Sequence, residues 1–455
     1  MREESSHQDV SASETIVAIA TPPGNGGVGV LRISGNNLDQ IAQSVLGCVP
    51  APRQASLMSF LDGDGSTIDR GLAIYFPAPN SYTGENVLEL QAHGGRVLMG
   101  LLLHRVVDLG ARIAEAGEFT RRAYLNGKLD LAQAEAVADL ISCSSEHAVR
   151  CAQRSLTGDF SIKINSLVDQ TIELRCQIES SIDFSDEEID FLSELLVENR
   201  INVLLSNIEN ILDSSRQGAV LREGLTVVIA GQANTGKSTL LNRLAGQNVA
   251  IVSDIPGTTR DTLKEQIHID GLPLHIIDTA GLRKTNDPVE QEGIKRAKLS
   301  IQNADYVLLV IDAQQQSSDY LENFIELAQI PVIRIINKND LISDQAKILE
   351  KEHGIEIYLS AKTGEGMDLL YQYLKQSVGF ESTEDVFLAR SRHIQALETA
   401  QQGLLSALAV ITTSSAIELL AEELRRVQIA LSQITGEFVA DDLLGEIFSR
   451  FCIGK

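Results

Sequence analysis

The chain has 455 residues, of which 44% are hydrophobic, and its formal net charge at pH 7 is −24. This length predicts about three domains, each large enough to bury a hydrophobic core. Because the chain is this negative, we do not expect it to coat nucleic acid through bulk electrostatic attraction. Any contact with nucleic acid must therefore be local.

Neither a membrane segment nor a disulfide framework is indicated. No apolar run approaches the roughly 18 residues of a membrane-spanning helix, and the polar stretch 1–10 does not resemble a signal peptide. We therefore expect a cytoplasmic protein. No two of the five cysteines form a C-x-x-C pair. The terminal Cys452 does not head a prenylation box, because Gly454 is not aliphatic. The other four are interpreted as small buried hydrophobic residues: Cys48, Cys143, Cys151 and Cys176.

The N-terminal segment predicts a small α/β domain, assigned to residues 1–128. Strand-like runs at 15–20 and 28–33 flank a turn rich in proline and glycine. Three glycines here satisfy the spacing G-x-G-x-x-G, but a dinucleotide fingerprint requires a helix after it, and a strand-like run follows instead. A hairpin or a substrate loop is therefore favoured over a Rossmann site.

Further along this domain, strands are predicted at 71–76 and 87–91 and a helix at 95–109. The domain also carries scattered polar side chains, for which solvation at the surface is the ordinary interpretation. They are Arg32, Glu89, His93, Arg121, Arg122 and Lys128.

Two distant segments, 129–222 and 381–455, share one sequence pattern. Both lack proline, and their apolar residues recur at three- and four-residue spacing, which predicts long amphipathic helices, beginning in the second segment at Val386. We therefore predict one helical domain built from both pieces. A phosphate-binding domain at 223–380, with strands and helices in alternation, is inserted between them.

The inserted segment opens with the sequence GQANTGKS at 231–238, which matches G-x-x-x-x-G-K-[ST]. A buried strand is predicted before it, at 225–230, and a helix after it, and this context argues against a chance match in a glycine-rich turn. In such a loop, backbone N–H groups face phosphate oxygens beside a helix N-terminus. Lys237 then reaches the β- and γ-phosphates and Ser238 holds magnesium. The predicted nucleotide contacts are Asn234, Thr235, Gly236, Lys237, Ser238 and Thr239.

Two further loops are predicted to reach the γ-phosphate. The loop 254–261 precedes a strand at 262–269 and supplies Thr259, which can close on magnesium while the γ-phosphate is present. The strand ending at Asp278 continues into a D-x-x-G motif, which places Asp278 near the metal and the Gly281 amide near the γ-phosphate. The predicted contacts are Ser253, Asp254, Ile255, Pro256, Gly257, Thr258, Thr259, Asp278, Thr279, Ala280 and Gly281.

Guanine recognition is predicted from the sequence NKND at 337–340, which follows a strand at 332–336. The Asp340 carboxylate can accept two hydrogen bonds from N1–H and the exocyclic amine of guanine, and adenine offers no matching pair. GTP is therefore preferred over ATP. The sequence SAK, after a strand at 355–359, completes the pocket, whose predicted members are Asn337, Lys338, Asp340, Ser360, Ala361 and Lys362. Ligands of open α/β sheets lie at the carboxyl ends of strands, where all four motifs fall.

Leu282 follows the D-x-x-G motif, where small GTPases place a Gln that orients the attacking water. Because leucine cannot hydrogen-bond to water, another group must do so. The nearby charged candidates are Arg260, Arg283, Glu290 and Glu292, for each of which an exposed surface charge is the ordinary interpretation.

Nearly the whole chain resembles the MnmE family, also called TrmE, of tRNA modification GTPases. The resemblance rests on segments that ordinary GTPases lack: GTTRD at 257–261, LDLAQAEA at 129–136 and FCIGK at 451–455. It implies an N-terminal α/β domain similar to folate-binding domains, a discontinuous helical domain and an inserted Ras-like P-loop GTPase domain. It also implies a homodimer held by the N-terminal domains.

The resemblance further implies a partner FAD protein of the MnmG or GidA type, in a heterotetramer or larger complex. Such complexes install an aminomethyl or carboxymethylaminomethyl group at carbon 5 of the tRNA wobble uridine. Their one-carbon donor is 5,10-methylene- or 5-formyl-tetrahydrofolate, and GTP hydrolysis drives the rearrangement.

Site residues follow from the resemblance position by position. Glu290 would orient the attacking water, Ser238 and Thr259 would hold Mg²⁺, and Cys452 would take part in the uridine chemistry. Potassium, beside the β- and γ-phosphates, would be held by Asn234, Ser253, Ile255 and Thr258. Folate would be held by Arg32, Glu89, Lys128 and Lys455.

The sequence is also compatible with two other functions. One is a regulatory GTPase switch that binds ribosome or membrane without modifying RNA, although neither a basic RNA-binding appendage nor an amphipathic membrane helix is evident. The other is a folate-dependent one-carbon enzyme that GTP only regulates, which predicts turnover without nucleotide.

Overall fold

The computed structural model describes residues 14–143, 145–183, 194–232, 234–247, 264–278, 304–314, 330–342, 345–351, 354–379, 386–413, 417–437, 441–449, 451–452 and 454. The chain forms two compact units, each assembled from separate stretches. The first comprises Met1–Ala138, Leu156–Asp183 and Ala421–Lys455, and the second comprises Asp139–Ser155 and Phe184–Leu420. The fold is multidomain, with α/β and all-α parts, as predicted.

The first unit contains a six-stranded sheet, counted over the described residues, with strand order β3-β4-β5-β2-β1-β6. The elements are β1 Ile16–Ile19, β2 Gly26–Ser34, α1 Leu38–Leu46, β3 Ser56–Leu61, β4 Thr67–Phe76, β5 Val87–Gly94, α2 Arg96–Asp108, β6 Arg112–Ile113 and α3 Glu118–Leu125. Strands β1 and β2 pair antiparallel, with Ile16 opposite Ser34. The predicted hairpin is therefore confirmed, and no helix follows the glycine-rich turn that would suit a dinucleotide.

Most of the remaining described residues outside the second sheet lie in helices, as their spacing predicts. They are α4 Leu131–Ser142, α5 Glu146–Thr157, α6 Asp159–Asp183 and α7 Glu194–Glu223, and, after the second sheet, α10 Ser391–Thr413, α11 Ile417–Thr435 and α12 Asp441–Ser449. Among the described helices, none is both long and apolar enough to cross a membrane.

The prediction that the second helical segment begins at Val386 is wrong for residues 386–390, which form no helix. The four residues Val386, Phe387, Leu388 and Ala389 are all buried, and a helix with one buried face cannot bury four neighbours in succession. Their backbone lies directly against α7. A Cβ on Gly218 would come within 1.7 Å of the Phe387 carbonyl oxygen, so only glycine allows this approach.

The second unit contains a sheet with seven strands among the described residues, in the order β12-β13-β11-β10-β7-β9-β8. Its elements are β7 Leu225–Gly231, α8 Lys237–Gln247, β8 Lys264–Ile269, β9 Leu272–Asp278, β10 Tyr306–Asp312, β11 Val332–Asn337, a 3₁₀ helix Asn339–Leu341, β12 Lys347–Lys351, β13 Gly354–Tyr358 and α9 Met367–Ser377. Strands β13, β11, β10, β7 and β9 pair in parallel. Their carboxyl ends therefore meet at one edge, where the motif loops begin.

The interpretation of four cysteines as buried hydrophobic residues is only partly right. Cys151 is buried and Cys143 is half-buried, and burial, with Asp139 and Cys151 nearby, raises the pKa of the Cys143 thiol to about 11. Cys48 and Cys176 are exposed, so the interpretation is wrong for both. Cys48 follows the left-handed Gly47 that ends α1, and Cys176 lies on the outer face of α6, where spacing alone does not set the face.

Candidate functional site

In the loop that joins β7 to α8, two glycines lie where a larger residue would clash with neighbouring atoms. Gly231, Asn234 and Gly236 take positive φ angles of 151°, 66° and 97°. A Cβ on Gly231 would lie 2.4 Å from the Val310 carbonyl oxygen, and one on Gly236 would lie 2.2 Å from the Asn337 Nδ2 atom. Both glycines are therefore fixed by backbone angle and by space, as a phosphate loop requires.

Side chains of the same loop brace it from within. The Lys237 ammonium donates to the carbonyl oxygens of Gly231 at 3.0 Å and Gln232 at 2.7 Å. The Thr235 hydroxyl donates to the Gln232 carbonyl at 3.0 Å. Helix α8 begins at Lys237, so the exposed Ser238 lies in its first turn, where the helix end is electropositive. The loop thus offers a cation and a helix N-terminus to an anion.

Asn337 joins the phosphate loop to the loop after β13. Its side chain is 2% exposed. The Nδ2 atom donates to the Thr235 carbonyl at 2.8 Å, and the Oδ1 atom accepts from the Ala361 N–H at 2.9 Å. Two motifs that lie far apart in sequence are therefore held at a fixed spacing by one amide.

The other predicted base-pocket residues lie beside Asn337. Asp340 is exposed on the 3₁₀ helix Asn339–Leu341, which leaves its carboxylate open to a ligand. Ser360 is buried, and its hydroxyl accepts from the Thr363 N–H at 3.2 Å. Lys338 takes a left-handed φ of 66°. The structure therefore brings together the predicted residues of the NKND and SAK motifs.

Asp312 also belongs to this cluster, and motif reasoning missed it. It ends β10, is 5% exposed and accepts from the Lys338 ammonium at 2.7 Å. That hydrogen bond holds the pKa of Asp312 below its usual value. The available signal was an acidic residue ending an otherwise apolar strand, beside the strand that leads to Lys338.

Much of the predicted γ-phosphate side lies outside the described residues. These positions are Ser253, Asp254, Ile255, Pro256, Gly257, Thr258, Thr259, Arg260, Thr279, Ala280, Gly281, Leu282, Arg283, Glu290 and Glu292. Strand β9 ends at Asp278, whose backbone lies opposite Ile229 of β7. The D-x-x-G motif therefore starts beside the strand that leads into the phosphate loop.

In the first unit, two of the predicted folate residues form a pair. Arg32 and Glu89 are opposite one another on β2 and β5, and the Arg32 Nε atom lies 2.9 Å from a Glu89 carboxylate oxygen. The Arg32 guanidinium also lies over the rings of Tyr82 and Phe119, 5.4 and 5.8 Å from their centroids. Lys128 is exposed beyond α3, and Lys455 lies outside the described residues.

The C-terminal segment reaches this pair. The Gly454 carbonyl oxygen accepts from Arg32 Nη1 at 3.5 Å, and the Gly117 N–H donates to the Cys452 carbonyl at 3.5 Å. A Cβ on Gly454 would lie 2.7 Å from the Ile19 carbonyl oxygen, so glycine permits this close approach. The exposed Cys452 is thus held through its own carbonyl oxygen and lies two residues before the Gly454 carbonyl that Arg32 contacts.

Surface solvation describes only some of the remaining polar residues of this unit. His93 is 75% exposed, beside Asp69. Arg122 instead lies in a largely buried ion cluster, with its guanidinium 3.0 Å from both Glu85 and Glu118. Burial alone would raise the pKa of Glu118, but hydrogen bonds, first from Arg112, keep it below its ordinary value. The solvated interpretation is therefore wrong for Arg122.

Comparisons with known proteins cover nearly the whole chain. Residues 131–452 match the family profile described as "MnmE helical domain", and residues 15–128 match "GTP-binding protein TrmE N-terminus". The chain is 55% identical over 454 residues to "tRNA modification GTPase MnmE" of Yersinia pestis bv. Antiqua (strain Angola), covering 98% of this chain and 100% of that protein. It is 53% identical over 450 residues to the protein of the same name from Nitrosomonas eutropha, covering 97% and 99%.

Solved structures also match parts of the chain. The FeoB G-domain of Methanococcus jannaschii is 22% identical and aligns with 34% of this chain and 97% of that one, with a TM-score of 0.27. A likeness at this level carries no argument about function.

Proposed function

Because the chain belongs to the MnmE (TrmE) family of tRNA modification GTPases and is a GTP hydrolase, we propose that its hydrolysis of GTP depends on potassium and drives modification of the tRNA wobble uridine. The product carries an aminomethyl or carboxymethylaminomethyl group at carbon 5. The partners are a second copy of this chain, a FAD protein of the MnmG or GidA type in a heterotetramer or larger complex, and tRNA. The proposed location is the cytoplasm.

One observation carries this proposal beyond GTP hydrolysis. The terminal segment that includes Cys452 and Gly454 is hydrogen-bonded next to the Arg32–Glu89 pair. A carboxylate such as Glu89 suits the donors of a pterin, and Arg and Lys side chains suit the carboxylates of a folate tail. A one-carbon donor held by Arg32, Glu89, Lys128 and Lys455 would then lie near the Cys452 thiol, which we assign to the uridine chemistry.

The phosphate loop supports the proposed metal ligands in part. Mg²⁺ is assigned to Ser238 and Thr259, and K⁺ to Asn234, Ser253, Ile255 and Thr258. Of these, Ser238 is exposed in the first turn of α8, and Asn234 is exposed in the left-handed conformation, so both side-chain oxygens are open to a ligand. A bound K⁺ would supply positive charge beside the β- and γ-phosphates. Glu290 is assigned to orient the attacking water.

Replacing potassium by sodium should slow GTP hydrolysis at least about tenfold while leaving GTP affinity within about twofold, since the loss of one electrostatic contact to developing charge costs at least this much. The measurement is single-turnover phosphate release by the purified full-length protein in matched KCl and NaCl buffers. The variant Asn234→Ala should hydrolyse slowly in both salts. Equal rates for the parent in the two salts would remove Asn234 from the mechanism.

Modification itself is tested by mass spectrometry of wobble uridines. Cells that lack this protein should lose the aminomethyl and carboxymethylaminomethyl products, and the parent chain should restore them. If the products persist in those cells, the alternative of a regulatory or ribosome-associated GTPase switch gains support. A reconstituted reaction that proceeds without any nucleotide would instead favour a folate enzyme that GTP only regulates.

A further inference from the structure

Arg243 connects the two ends of the candidate nucleotide site. It lies on α8, the helix that begins at Lys237 of the phosphate loop. Its Nε atom donates to the Ala361 carbonyl oxygen at 3.1 Å, and its Nη2 atom donates to the carbonyl oxygen of the next residue, Lys362. The guanidinium carbon also lies 3.5 Å from where a Cβ on Gly364 would be. The side chain therefore lies against Ala361, Lys362 and Gly364 of the loop after β13.

The loop that Arg243 contacts is held by several further hydrogen bonds. It closes on itself through the Ser360 N–H, which donates to the Glu365 carbonyl at 2.9 Å, and the Gly364 N–H, which donates to the Ser360 carbonyl at 2.8 Å. From outside, Asn337 accepts from the Ala361 N–H, and Arg243 donates to the Ala361 carbonyl. The backbone N–H and the carbonyl of Ala361 are therefore both held by side chains linked to the phosphate loop, since Asn337 also donates to the Thr235 carbonyl and Arg243 lies on α8.

The hydrogen bonds from residue 243 to two consecutive carbonyls suit an arginine better than a lysine. Within the part of the chain that the structure describes, Arg243 forms no ion pair with a carboxylate, and its donors go to backbone carbonyls. Hydrogen bonds from a charged donor are stronger than neutral ones. A guanidinium presents several donors in a fixed fork, so it can reach two consecutive carbonyls, whereas a lysine ammonium is a single point on a flexible stem.

We propose that Arg243 is a positioning residue for the guanine base, which it holds in register with the phosphates by fixing the Ala361–Lys362 carbonyls to α8. This inference rests on the proposed assignment of the loop to the base pocket. Among the described residues, the hydrogen bonds of Arg243 go to the Ala361 and Lys362 carbonyls and none goes to Lys237, so the loss of Arg243 should weaken base binding while leaving Lys237 in place.

The test uses Arg243→Ala and Arg243→Lys in the full-length chain, with Lys375→Ala as the matched control. Lys375 is another cation of this unit, and its ammonium pairs with Asp270 at 2.7 Å. The probe is GDP with a fluorescent label on the ribose, followed by stopped flow after an excess of unlabelled GDP. We expect Arg243→Ala to release the probe about tenfold faster, as the loss of a charge-assisted hydrogen bond implies, Arg243→Lys to be intermediate, and Lys375→Ala to match the parent.

Steady-state hydrolysis separates positioning from general damage. KM for GTP should rise about tenfold in Arg243→Ala, while kcat at saturating GTP stays within about twofold. Parental release rates in Arg243→Ala would overturn the proposal, and so would a lowered kcat at unchanged KM. Should far-UV circular dichroism show Arg243→Ala unfolded, Arg243→Lys decides: faster release supports the proposal and parental release overturns it. A parent chain that fails to retain GDP would overturn the base pocket itself as well.

Discussion

Replacing Asp340 by Asn should change the preferred nucleotide from GTP to XTP. The carboxylate is a double acceptor for N1–H and the exocyclic amine of guanine, whereas the amide of Asn offers a donor that suits the second carbonyl of xanthine. Hydrogen bonds to a charged group contribute about 1.5–3 kcal/mol each, so GTP affinity should fall by about a hundredfold or more. Because Asp340 is exposed on the 3₁₀ helix Asn339–Leu341, the fold should not change.

The measurement is the ratio of dissociation constants for GDP and XDP, obtained by competition against a fluorescent nucleotide. Asp270→Asn provides the control, since Asp270 is an exposed carboxylate of the same unit at a left-handed position that asparagine also tolerates. That variant should keep the parental preference. An Asp340→Asn protein that still prefers guanine would show that another group reads the base.

Removing the Asp139 carboxylate should destabilise the second unit by about 3–5 kcal/mol, the usual cost of breaking a buried ion pair. Asp139 is 5% exposed, and one of its oxygens accepts from Arg222 at 3.0 Å and from Arg390 at 2.9 Å. In Asp139→Ala, two guanidinium groups would face each other without the anion between them. Asp139→Asn, which retains an acceptor oxygen, should lose less.

Urea unfolding followed by circular dichroism measures this loss as a lower midpoint for the affected transition. The control is Glu398→Ala, which removes a half-exposed carboxylate paired with Arg216 at 2.9 Å in the same unit. Solvent screens such a pair, so its loss should cost no more than about 1 kcal/mol. Equal midpoints for Asp139→Ala and Glu398→Ala would mean that the buried ion pairs of Asp139 contribute no more to stability than the exposed Glu398–Arg216 pair.

Local pattern predicts much of this molecule because its motifs are short and their context is local. The phosphate loop at 231–238 needs only a buried strand before it and a helix after it, and the structure has both, as β7 Leu225–Gly231 and α8 Lys237–Gln247. The strands that carry the other described motifs also end where their apolar runs end. The N-terminal hairpin follows in the same way from two strand-like runs and a turn.

Interactions between distant residues were beyond such reasoning. Arg243 meets the Ala361 carbonyl across 118 positions, and Arg390 meets Asp139 across 251. No local pattern marks these partners, because an arginine in a stretch with helical spacing is usually a solvated charge. The same limit explains Arg122, whose acidic partner Glu85 lies 37 positions away. Periodicity likewise gave no sign that four successive residues, 386–389, would all be buried.

The shared oxygen of Asp139 has a further consequence for how this polypeptide is wired. Arg222 stands just before the strand that enters the nucleotide-binding sheet, and Arg390 stands just after the chain has left it. The side chains of Arg222 and Arg390 therefore link the segment that enters the sheet and the segment that leaves it through one oxygen atom of Asp139. If the segment between these two arginines were deleted and the ends were joined by a few glycines, the resulting protein would show whether the helices keep their structure without the sheet.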